Sequence, residues 1–290
     1  MAKLKTIWKA TNILVNYYGT DTAKETKFAD YNGNERVDAI PTLYRELRFT
    51  GNFSLLFKLR STSEGRDILW GRKFNDPDHV KNVTVKKLSD IKWLQSLPAN
   101  TLGGHLGHLF KDFALEEIYE SRYQEAEVID NNSRDLYGVY GGAVDDIRVN
   151  INRYLYLLHD VYHILFRYDT SSMGESNVQG VTYKQVNFFP MRWCGLSIAA
   201  GVAMQTKSLD PFRVYFEAER LGQRAAAKGL WSQDVVTLLE RDVEEIRQEF
   251  DIGVPVKYNQ FCEKYKDHVK LDNIHPEYND VEVTWTEAKI

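Results

Sequence analysis

Apolar side chains recur at steps of three and four along most of this chain and alternate in only one short stretch. Ile147, Ile151, Leu155, Leu158, Tyr162, Leu165 and Phe166 make the longest such series. One apolar face at that spacing predicts a helix over 143–167. Leu43, Leu47, Phe53, Leu55, Leu56 and Leu59 predict a buried pair of short helices at 41–48 and 53–60, broken around Thr50-Gly51-Asn52. A turn-rich run at 96–104 leads into HLGHLFKDF, another short helix.

Proline suits a first helical turn, so Pro190 predicts the start of a helix reaching to 205. Its small residues (Gly195, Ser197, Ala199, Ala200, Gly201, Ala203) permit the close approach of a neighbour. Asp210 followed by Pro211 reads as an N-cap and first turn, opening a helix to about 229. A last helical pair spans 232–250, broken near Arg241 and ended by Gly253 and Pro255. VEVTWTEA, from Val281, alternates like a strand, but one weak strand does not alter the class. The expected fold class is all-α.

Composition narrows the functions. A net charge of -4 and a pI near 6.0 give no basic footprint for nucleic acid. Cys194 and Cys262 are the whole thiol complement, too few and too far apart for a disulfide framework or a CxxC site. The amino terminus has neither the apolar core of a signal peptide nor the acid-free, Arg-rich pattern of a transit peptide. The longest apolar run, 194–204, is well short of the ~20 residues that a membrane span needs. A soluble cytoplasmic protein is the expectation, with peripheral membrane contact open. Aromatics at 13% point to ring-rich packing or a ring-lined cavity.

The densest chemistry lies in HDVYHILFRYDTSSMGE, which begins at His159. His159 and His163 stand at i and i+4, so both face one spot, and Asp160 flanks it three residues before His163. Two helix-borne imidazoles at that spacing can chelate one ion. Glu175 could close the shell if the polar run 169–172 turns and Gly174 lets the chain loop back. Two histidines with carboxylates suit a divalent metal: Zn, Fe(II) or Mn(II). The plain alternative is an amphipathic helix with polar decoration. Leu155, Leu158, Tyr162 and Phe166 surround the patch, and ionisable groups buried among them are costly unless paired.

Other features carry less. His105 and His108 read as surface histidines on a short helix. Gly103-Gly104 lacks the lysine and hydroxyl of a phosphate loop, and no GxSxG elbow occurs. The run 137–142 reads as a glycine-rich hinge, and the charges at 240–249 as a solvated helix face.

H-D-x-x-H, then eleven residues, then Glu, resembles the signature of the coenzyme Q biosynthesis protein 4 family, here His159, Asp160, His163 and Glu175. Two flanks resemble it too: Leu94-Gln95-Ser96-Leu97-Pro98 with Thr101-Leu102-Gly103, and the acidic helix ending VEEIRQEFDI. The resemblance covers about 40–253, which implies a helical domain at 41–253 between an N-terminal extension (1–40) and an irregular C-terminal extension (254–290).

The resemblance implies an all-helical single domain with an apolar lipid-binding cavity. It implies a divalent ion, zinc first, held by those four residues, which are also the catalytic ones. The implied reaction is oxidative decarboxylation and hydroxylation at ring carbon 1 of a prenylated hydroxybenzoate. The implied partners are a prenylated quinone precursor or other isoprenoid lipid and further ubiquinone-biosynthesis proteins, with a homodimer open. A bacterial form on the cytoplasmic face of the inner membrane is expected. Tyr162, Phe166, Phe188, Phe189 and the small-residue helix are the expected walls for the tail. Arg167 stands where the family commonly has glycine, so the loop to Glu175 is expected to take another shape. Arg167 could orient an acidic head group or salt-bridge at the surface. Two other readings compete: a lipid-binding scaffold without catalysis, and a metal-dependent phosphohydrolase.

Overall fold

The fold, taken from a computed structural model, is described for residues 2–19, 39, 42, 43, 46, 47, 80–109 and 158–265. Among them the chain is mostly helical and has no strand, only an isolated bridge between Thr101 and Asp242. The expected helices at 53–60, the glycine-rich run at 137–142 and the alternating stretch from Val281 lie outside the described residues. So does most of the expected pair member at 41–48, although Leu43 is fully buried.

We label the principal helices in chain order: α1 (Ala2–Gly19), α2 (Ile91–Ser96), α3 (Leu102–Leu109), α4 (His159–Phe166), α5 (Ser172–Val186), α6 (Phe189–Thr206), α7 (Asp210–Ala227), α8 (Val243–Glu249) and α9 (Val256–Tyr265). Helix α5 sits at the centre, packed between α6 and α7. On the outer sides, α1 lies on α6 and α9 on α7, while α4 meets both α3 and the start of α5.

The small residues set these distances. A Cβ on Gly195 would come within 2.6 Å of the Tyr215 ring, and one on Gly201 within 2.6 Å of the Val15 carbonyl oxygen. Both faces of α6 are therefore filled by other helices. The stripe expected to wall a lipid groove is used to bring backbones together, because a side chain at either glycine would force them apart.

Two further expectations change. Residues 256–265 are helical rather than irregular, since Tyr258, Phe261 and Tyr265 repeat at helical spacing and are buried in the shared core. Helix α1 enters the same core through Ala10, Leu14 and Tyr18, so the packed body reaches beyond 41–253 on both sides. In the series at 143–167, the described part begins with a turn at Leu158, and α4 starts only at His159. No described helix is long and apolar enough to cross a membrane.

Candidate metal centre

Helix α4 is eight residues long, and its end is defined by the backbone. The Arg167 N–H donates to the Ile164 carbonyl (3.2 Å) and the Tyr168 N–H to the His163 carbonyl (3.0 Å), a Schellman stop. That motif needs a left-handed residue just past the helix, and Arg167 has φ 59° and ψ 41°. Glycine takes this conformation at least cost. Arg167 thus accepts backbone strain at a position that glycine would fill at least cost.

The chain re-enters a helix after five residues, 167–171. Asp169 Oδ1 accepts from the Ser171 N–H (2.9 Å), and Ser171 Oγ caps α5 by accepting from the Gly174 N–H (3.2 Å). Glu175 therefore comes from the first turn of a helix, not from a loop. Gly174 is needed for space, because a Cβ there would lie 1.9 Å from the Asp169 carbonyl oxygen. The first turn of a helix favours a carboxylate through its unpaired N–H groups and dipole.

The two turns bring three groups together. His159 Nε2 lies 3.0 Å from Glu175 Oε2, His163 Nε2 lies 3.1 Å from His159 Nε2, and His163 Nε2 lies 3.5 Å from Glu175 Oε1. Among the described residues this is the one such metal-competent cluster of His, Cys, Asp or Glu. Asp160 is buried beside it but does not join the three donor atoms. Its position is about 100° round the helix from His159, and its side chain is short.

His163 is wholly enclosed, while His159 and Glu175 keep 20% and 24% of their side chains exposed, which leaves one open side. The His163 Nδ1 lies 3.1 Å from the Tyr168 carbonyl oxygen. A carbonyl can only accept, so Nδ1 carries the proton and the Nε2 lone pair faces His159 and Glu175. Three electron-rich atoms facing one another need a proton or a cation between them. With a proton, burial alone would lower the His163 pKa, but the charge and hydrogen bond of Glu175, then Asp160 and the Tyr168 carbonyl, outweigh it and raise it. Burial likewise pushes Glu175 up, and the two histidines reverse this, holding it well below the usual carboxylate range.

A cation fits the same geometry. Donors 2.0–2.1 Å from one tetrahedral ion are about 3.3–3.4 Å apart. The observed edges of 3.0, 3.1 and 3.5 Å bracket that value.

A brace lies behind α4. Arg247 of α8, almost wholly buried, donates through Nε to the Leu165 carbonyl (3.0 Å) and through Nη2 to that of Ile164, and it pairs with Glu244. Arg167 Nη2 reaches the same Glu244 at 2.9 Å, so its cation points into this brace. Burial, then the neighbouring Arg167 charge, lower the Arg247 pKa to about 10. Helix α8 is in turn tied to the start of α3: Leu102 N–H donates to Arg241 O (2.9 Å), Gly103 N–H to Leu239 O (2.7 Å) and Asn100 Nδ2 to Asp242 (2.7 Å). His105 sits half-buried in this junction; burial and then the Arg247 charge lower its pKa to about 4.

The residues expected to line a tail groove are placed as follows. Tyr162 and Phe166 are buried and meet edge to face at 5.9 Å. Phe188 and Phe189 lie beyond the far end of α5, about 20 Å of helix rise from Glu175, where Phe189 meets Trp193 at a tilt, 6.1 Å between ring centroids. A half-open cleft of about 430 Å³ between α7 and α9, with Arg213, Lys257 and Lys264 on its walls, shares no residue with the cluster. Tyr168, Ser171 and Arg247 escaped the sequence reading. The signal for Ser171 was available, since a serine before a helical run is a cap. Arg247 had none, because its partners are 82 and 83 positions away.

No protein-family model matches the chain. No curated protein matches it. A crystal structure from Nostoc punctiforme PCC 73102, of a protein named provisionally as a ubiquinone biosynthesis protein, is similar at 16% identity and a TM-score of 0.49, covering 86% of this chain and 98% of the other.

Proposed function

We propose that this chain is a metal-dependent protein of ubiquinone biosynthesis that removes the ring carboxyl of a prenylated hydroxybenzoate as CO2 and hydroxylates the same carbon, a net two-electron oxidation whose oxidant and oxygen atom come from a co-substrate such as dioxygen. The observation that carries the reading is the meeting of His159, His163 and Glu175 at ligand-to-ligand distances. A second support is that the three segments resembling the coenzyme Q biosynthesis protein 4 family fold onto one another. The turn at 94–103 holds α8, and α8 holds the carbonyl end of α4.

In this reading the two Nε2 atoms and the Glu175 carboxylate hold the ion, zinc first, with Fe or Mn as alternatives. When bound, the ion supplies a positive charge that polarises a ring carboxylate or phenolic oxygen. The chain's own groups do the rest. The Tyr168 carbonyl keeps the His163 proton on Nδ1, so that in the neutral ring the Nε2 lone pair faces the ion. The exposed edges of His159 and Glu175 leave the side from which a ring could enter. A prenyl tail would run over neighbouring apolar surface rather than through α6.

Glu175→Gln tests the whole reading. It keeps the volume and removes the charge. Purified wild type should carry stoichiometric divalent metal and restore quinone synthesis in a deficient host, while the variant should do neither and remain folded. A folded, metal-free variant that restored synthesis fully would end the catalytic assignment.

A further inference from the structure

Helix α1 presents two faces of opposite character. The inner one is locked to α6: the Trp193 indole N–H donates to Thr11 Oγ1 at 2.9 Å, and Gly19 lies against Gly201. The outer one carries Leu4, Lys5, Trp8 and Lys9, all exposed, with 71% of Leu4 and 65% of Trp8 open to solvent. At i and i+4 the leucine and the indole share one stripe, and each is followed by a lysine.

The charge is as one-sided as the apolar surface. The first 20 residues hold three lysines and no Asp or Glu, in a chain whose net charge is -4. This stretch is thus locally basic where two large apolar side chains protrude. A protein partner would need about 800 Å² of complementary surface on this side, which two protruding side chains do not supply. A bilayer needs no such complement. It accepts an indole at the headgroup level, an aliphatic side chain just below it, and lysines that reach back to lipid phosphates.

We propose that the outer face of α1 is a docking surface for anionic lipid bilayers. Leu4 and Trp8 enter the interface, Lys5 and Lys9 pair with headgroups, and α6 carries the rest of the molecule against the membrane. The proposal does not depend on the metal reading. Failure to bind vesicles would leave the metal centre standing, and a metal-free protein could still bind vesicles.

The test is co-sedimentation of the full chain with vesicles of phosphatidylcholine alone and of equal parts phosphatidylcholine and phosphatidylglycerol. Binding is expected on the anionic vesicles and should fall steeply as salt rises from about 0.1 to about 0.5 M. Lys5→Gln and Lys9→Gln should each weaken partitioning roughly fivefold, and Leu4→Glu with Trp8→Glu should weaken it roughly tenfold or more. All four residues are exposed, so the variants should melt with wild type. Absence of wild-type binding to anionic vesicles would overturn the proposal, as would binding that is indifferent to these substitutions. A dimer in sedimentation equilibrium that Trp8→Glu dissolves would overturn it as well, by assigning the face to a second copy.

Discussion

Tyr168 holds His163 at both ends: its N–H donates to the His163 carbonyl at 3.0 Å, and its own carbonyl accepts from the ring Nδ1 at 3.1 Å. One residue, through its N–H and its C=O, stops the helix and also sets the tautomer and direction of the second histidine. This makes the left-handed residue between them decisive for the metal centre.

Substitutions at Arg167 should therefore divide by backbone rather than by charge. Arg167→Gly relieves the left-handed strain and loses the contact to the half-exposed Glu244, so stability should stay within about 1 kcal/mol of wild type. Metal affinity should be kept. Arg167→Val puts a β-branched residue where φ is positive and should cost about 2 kcal/mol or more, with weaker metal binding. Denaturant melts and metal titrations on the two variants check this, and equal behaviour would contradict it.

Metal binding should weaken with acidity. In the metal-free protein the His163 pKa is raised, so below that value an ion must displace a proton from Nε2. Apparent affinity is expected to fall about tenfold for each pH unit in that range and to level off above it. Competition titrations with a chelating dye at several pH values measure the slope. His163→Gln should abolish it along with more than about 100-fold of affinity.

Arg247 should matter more than its distance from the ligands suggests. Arg247→Met takes the side-chain donor from the Leu165 carbonyl and leaves the Ile164 carbonyl and Glu244 with Arg167 alone, at a cost of about 2–4 kcal/mol. Arg247→Lys keeps the charge but cannot span both carbonyls and the carboxylate, so it should fall between. Because the brace holds the end of α4, both variants should lose metal affinity in the same order as stability. Full affinity in a folded Arg247→Met protein would show the brace to be independent of the site.

His105 supplies a pH signature for the same junction. Its folded pKa, about 4, lies below the ordinary histidine value of 6.5, so the unfolded chain binds the extra proton first as pH falls. Its contribution is complete above pH 6.5 and is lost between there and pH 4, by no more than about 3 kcal/mol. His105→Asn should flatten that part of the stability curve, as read from urea midpoints against pH.

The histidine pair, the all-α class and the helices at 190–205 and near 210–229 were legible, because each is a statement about periodicity or a cap within one helix. Glu175 could be named but not placed. A loop and a helical first turn both return a carboxylate, and the choice rested on Ser171 and on the room that Gly174 leaves for Asp169. The role of α9 was hidden in a tail whose mean composition is polar, although Tyr258, Phe261 and Tyr265 already stood at helical spacing.

By itself, the order of residues determined which groups share a helix face: His159 with His163, Leu4 with Trp8, and the small residues of α6. Helical geometry converts spacing into direction without help from the rest of the chain. Only the tertiary structure decided what those faces meet. It turned the small residues into helix contacts, left Asp160 outside the donor cluster, and joined Arg247 to a carbonyl 82 positions away. Contacts of that kind depend on how helices cross, and a local pattern does not encode the crossing.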